Sequence, residues 1–188
     1  LAKKYVAQTG VKIDFELLAK KFKESKKKNV ELEALKAAIR AQLERMIRLN
    51  RYRTDYLTKF EELIEAYNAG SRNIEELFRE LLKLSRSLNE EEQRHVRENL
   101  NEDELVIFDI LTRPDPDLSS DEREAIKKIA RDLLKRLRDL LVLDWRQNVQ
   151  TRARVHEAIA DALDRSLPRV YTPEIYKRKC SAIFEHVY

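Results

Sequence analysis

Glycine occurs only at Gly10 and Gly70 in 188 residues, and proline only at Pro114, Pro116, Pro168 and Pro173. With so few breakers the chain is built for helices. Two solitary glycines cannot form a GxxxxGK[ST] phosphate loop, so no nucleotide phosphate is cradled here. No serine is flanked by glycines as a nucleophile elbow requires. Cysteine occurs once, at Cys180. That excludes an internal disulfide, fits a reducing compartment and so predicts a cytoplasmic protein. Near Ile183 on a helix face, the thiol is expected to be buried and inert. His95, His156 and His186 are isolated, and the Cys180–His186 spacing lacks the further ligands of a zinc site. His156, on an apolar face, is expected to be a core residue. No run of 18 apolar residues exists to span a membrane, and no signal peptide is visible. No buried acid–base pair is foreseen, so neither catalysis nor a resident cofactor or metal is expected in this segment. Beginning at Leu1 in mid-pattern, the chain reads as a piece of a longer protein.

What is abundant is Leu, Glu, Lys, Arg and Ala, with 38% of residues charged. These are strong helix formers and predict amphipathic helices with wet outer faces. The charge is unevenly laid out. Residues 1–60 hold 16 Lys/Arg and 7 Asp/Glu, residues 61–125 hold 8 and 19, and residues 126–188 hold 14 and 8. Such a basic–acidic–basic order favours attraction within the fold, and it also offers basic surfaces to phosphates.

The predicted fold class is all-α, an irregular bundle of about seven or eight helices. Residues 1–30 read as a linker and a short helix, and residues 31–188 as a helical domain. Phe15, Leu18 and Phe22 share a stripe in a helix over 13–28. No breaker interrupts Val30 to Ala69, which predicts one helix of about 40 residues with a kink near Asn50. Arg45, Arg48 and Arg51 lie three apart on its face as a candidate phosphate ridge. Gly70 stops it. Capping-box spacings then mark helix starts at Asn73 with Glu76, Asn89 with Glu92, Asn101 with Glu104 and Ser119 with Glu122. The Glu90–Glu92 run reads as a solvated face or helix start. Pro114 and Pro116 make residues 113–120 a loop. Ile126, Ile129, Leu133 and Leu137 point inward from the helix that follows, and Leu140–Leu143 form a buried connector. Asp144 with Gln147 is read as the cap of the next helix, whose apolar face is Val149, Ala153, His156, Ala160 and Leu163. Arg146, Arg152 and Arg154 stand on the opposite side. Thr172 caps a last helix with Pro173 at its first position.

Several stretches, taken in order, resemble one family: YNAGSRNIEELFREL, LNEDELVIFDILTRPDPDLSSDEREAIKKIARDLL, LDWRQNVQTRARVHEAIADALDRSLPRVY and KCSAIFEHVY. The most specific are DELVIFDIL, LDW at 143–145 with RARV at 152–155, and HVY at 186–188, which looks like a natural chain end. From about Ile39 to Tyr188 they resemble the C-terminal helical region of the restriction (motor and nuclease) subunit of type I restriction–modification enzymes. The resemblance implies a parent that uses ATP and Mg to translocate duplex DNA and then cuts it. It implies modification (methyltransferase) and specificity subunits as partners, and it carries no catalytic motif onto this segment. Two binding roles follow as expectations: docking the motor on the modification core through helical faces, or direct contact with the DNA backbone. The candidate residues are Arg45, Arg48, Arg51, Arg146, Arg152 and Arg154. A passive helical scaffold is the third reading.

Overall fold

The computed structural model describes residues 15–142 and 145–188. The linker reading of residues 1–12 and the proposed cap at Asp144 lie outside them. Among the described residues there are nine α-helices, one 3-10 turn and no strand. They are α1 (Phe15–Glu24), α2 (Lys28–Leu49), the turn Arg51–Arg53, α3 (Thr54–Asn68), α4 (Ile74–Glu92), α5 (Arg94–Arg97), α6 (Glu102–Thr112), α7 (Ser120–Leu140), α8 (Val149–Ser166) and α9 (Pro173–Val187). The chain divides into two compact units, through Arg94 and from His95 onward.

In the first unit α4 is the hub, packed by α1, α2 and α3. Leu77, Phe78, Leu81, Leu82, Leu84 and Leu88 of α4 meet Leu32, Leu35, Ile39, Leu43 and Met46 of α2 and Phe60 of α3. Phe22 of α1 stacks on Phe78 with ring centroids 3.7 Å apart. Each such side chain contributes roughly 1.5–3 kcal/mol through burial.

The expected 40-residue helix is two helices, the longer of 22 residues. It breaks at Asn50, whose backbone is extended (φ −147°, ψ 106°) and whose side chain accepts from the Tyr52 amide at 3.1 Å. The break turns Arg53 inward. It is 2% exposed, and its Nε donates to Glu91 Oε1 of α4 at 3.0 Å. Arg94 donates to both oxygens of the same carboxylate. Glu91 is therefore buried between two guanidiniums, not part of a solvated acidic face.

The cap expected at Asn89 and Glu92 is absent because both lie inside α4. Their side chains serve another helix: Gln42 Nε2 of α2 donates to Asn89 Oδ1 at 2.9 Å and Glu92 Oε2 at 3.1 Å. The capping boxes at Asn73, Asn101 and Ser119 are all formed. At Gly70 (φ +75°) α3 ends in a Schellman motif, with Gly70 N bonded to Tyr67 O and Ser71 N to Ala66 O.

In the second unit α6, α7, α8 and α9 pack in succession, and α9 returns to α6. Leu105 through Leu111 of α6 are buried without interruption, Asp109 among them with the Arg113 guanidinium 3.6 Å away. Ile126, Ile129, Ala130, Leu133 and Leu137 of α7, Val155, Ile159 and Leu163 of α8, and Ile183 of α9 complete this core.

Candidate docking surface around Trp145

Leu141 caps α7, and the chain reaches α8 through a turn holding Trp145. Trp145 N donates to Val142 O at 3.1 Å, and Asn148 N donates to Trp145 O at 3.2 Å. Asn148 caps α8, its side chain accepting from Thr151 N at 3.0 Å. The turn sets the phase of α8. Val155, Ile159 and Leu163 face the core at i, i+4 and i+8, whereas Val149 is 68% exposed. The predicted stripe through Val149 and His156 assumes that the helix runs unbroken across the turn. His156 is exposed and stacks on Phe184 of α9 at 3.7 Å.

Trp145 is itself buried, edge-on to Phe184 at 6.3 Å and to Tyr188 at 5.9 Å. Around this anchor the surface is both apolar and cationic. Val142 and Tyr188 are more than half exposed, in addition to Val149. The connector expected to be buried is therefore open at Val142, and Leu143 lies outside the described residues. The Arg146 guanidinium lies over the Trp145 ring at 5.8 Å, and Arg152 Nη1 donates to Arg146 O. The structure thus brings Arg146 and Arg152 together on the turn. Arg154 is exposed and two positions further along α8, where i,i+2 residues do not share a face. Val142 and Tyr188 escape a sequence reading because helical spacing says nothing about a turn that opens two helix ends.

Arg45, Arg48 and Arg51, in the first unit, do not form one helical ridge. Because α2 stops at Leu49, Arg51 belongs to the 3-10 turn, with its guanidinium over Tyr52 at 5.7 Å. Arg45 Nη2 is bound to Glu92 Oε1 at 2.6 Å. Arg48 is exposed.

The loop 113–120 is clamped to α9. Lys179 is 2% exposed and donates to Arg113 O at 2.6 Å, while Asp115 binds Arg178. Burial lowers the Lys179 ammonium pKa to about 8, against an opposing pull from Asp115. Tyr171, between α8 and α9, donates to Leu111 O at 3.0 Å, and burial raises its hydroxyl pKa well above the ordinary range. Cys180 is half-buried, and burial raises its thiol pKa, so it is a poor nucleophile. These contacts fasten the loop and α9 within the second unit. Among the described residues no three His, Cys, Asp or Glu side chains cluster in a way that could hold a metal ion. No described helix is long and apolar enough to cross a membrane.

No curated protein and no solved structure matches the chain. A family model does, over residues 11–188, and it is described as type I restriction enzyme HindI endonuclease subunit-like, C-terminal. That span takes in both helical units, the DELVIFDIL helix and the Trp145 turn, so the chain belongs to this C-terminal family of type I restriction endonuclease subunits.

Proposed function

We propose that this chain is a non-catalytic assembly domain, which docks the restriction subunit onto the modification and specificity subunits. The observation that carries this reading is the surface around Trp145. Val142, Val149 and Tyr188 are open to solvent beside Arg146, over a buried tryptophan that fixes the turn. Aromatic, apolar and arginine side chains around a rigid anchor are the composition that protein interfaces favour. Arg152 supports the turn, and Arg154 forms an outer charged contact. The ATP- and Mg-dependent translocation and the DNA cleavage belong to other parts of the parent subunit. Direct contact of Arg48 or Arg154 with DNA is the competing reading, and both side chains are exposed.

The test is deletion of the region corresponding to residues 11–188 from the parent subunit. The truncated subunit is expected to keep its ATPase fold but no longer to co-purify with the modification–specificity core. Unimpaired assembly overturns the proposal and leaves a passive scaffold.

A further inference from the structure

The corner between α1 and α2 is the most densely cationic stretch of the chain. Residues 20–28 hold six lysines, at 20, 21, 23, 26, 27 and 28, against one carboxylate, Glu24. The corner is held rigidly on α4. Phe22 stacks on Phe78, and Lys28 bonds Glu75 at 2.6 Å while lying 5.5 Å over the Phe22 ring. Lys20, Lys23, Lys26 and Lys27 are exposed, and none of them pairs with a carboxylate among the described residues.

Fold stability does not account for all of these charges. Lys21 and Lys23 suit the negative end of α1. Lys26 and Lys27, by contrast, sit at the positive end of the 22-residue α2, whose Lys27 N-cap makes no side-chain bond. There they repel the helix dipole and one another, which a bound anion would relieve. Lysine is depleted at protein interfaces, and the corner offers no exposed aromatic or arginine anchor. The exposed apolar side chains nearest in sequence, Leu17 and Val30, are aliphatic. Flexible ammonium groups without an apolar anchor suit a polyphosphate backbone, which demands countercharge more than shape.

We infer that the lysine corner binds the phosphodiester backbone of duplex DNA without reading base sequence. This site is separate from the Trp145 surface and does not depend on the docking proposal. The test is fluorescence anisotropy of a labelled duplex titrated with the intact 188-residue chain at 50 and 200 mM salt. Four neutralised phosphates give a fall in affinity on the order of a hundredfold between those conditions. The variant K20Q/K23Q/K26Q/K27Q keeps its helical circular dichroism and melting temperature and loses binding. The variant K128Q/K135Q/K177Q, at exposed lysines of the second unit, binds as the wild type does. Absence of binding at 50 mM salt, or wild-type affinity in the lysine variant, overturns the inference. So does displacement of the duplex by polyaspartate as readily as by unlabelled DNA, which assigns the corner to an acidic protein instead.

Discussion

At the scale of single residues, two buried charges govern how the units respond to change. Glu91 pairs with both Arg53 and Arg94 from a position 8% exposed at the side chain. Removing the shared carboxylate from such a buried cluster costs about 3–5 kcal/mol. Glu91→Gln is expected to lower the unfolding free energy of the first unit by that amount, read as a fall in its urea midpoint at unchanged slope. The double change Arg53→Met with Glu91→Leu should cost less than Glu91→Gln alone, since it removes the deeply buried Arg53 charge together with its carboxylate and leaves only Arg94, whose side chain is 13% exposed. A double change costing as much as the sum of the singles contradicts this account.

Lys179 gives a pH signature. Its folded pKa of about 8 lies below the ordinary lysine value of 10.5, so between those values the unfolded state binds more protons. Stability from this group therefore rises with pH through that window, at up to roughly 1 kcal/mol per pH unit. Tyr171 and Tyr176 act in the opposite sense above pH 10, where their raised pKa values make the folded state hold its protons longer. Because they are common to wild type and Lys179→Met, they cancel in the comparison. The stability of the wild type relative to Lys179→Met should grow between pH 8 and 10 in paired denaturation curves. A constant difference would show that the ammonium is not desolvated.

At the scale of elements, helix ends decide what a sequence reveals. Capping boxes at Asn73, Asn101 and Ser119, and the Thr172–Pro173 start, are legible because every bond in them is made within four residues. Asn89 and Glu92 have the same spacing but no helix start. Their partner is Gln42 on another helix, and local spacing cannot distinguish the two cases. At Asn50 the spacing foresees a kink but not a full break. No glycine or proline marks it, and the local bond of Asn50 to the Tyr52 amide is joined by the long-range bond from Arg53 to Glu91. The phase of α8 is lost to a turn whose anchor, Trp145, is fixed by Phe184 and Tyr188 at the far end of the unit.

Gly70 supplies a local counterexample with its own prediction. A Cβ there would meet nothing within 4 Å, so only the left-handed backbone resists substitution. Gly70→Ala should cost about 1 kcal/mol in thermal unfolding, with no change in core packing. A cost several times larger would mean that the site is crowded rather than strained.

At the scale of the molecule, the two units carry different surfaces. The first carries a lysine corner over a leucine-rich core built on α4. The second carries an apolar and arginine surface over a buried tryptophan. The family was legible from motifs in order, and DELVIFDIL lies in α6, buried from Leu105 to Leu111. The docking surface was only half legible. Arg146 and Arg152 are visible as basic residues near Trp145, but exposed Val142, Val149 and Tyr188 emerge only when the turn folds.

The central claim is tested most directly by titrating the chain into the purified modification–specificity core by calorimetry, at 50 and 300 mM salt. Docking through the Trp145 surface predicts binding that weakens little with salt, because apolar burial is hardly screened. Val149→Glu, on a side chain 68% exposed, should leave the fold intact and weaken binding at least tenfold. Absence of binding, or undiminished affinity of the Val149→Glu chain, would contradict it.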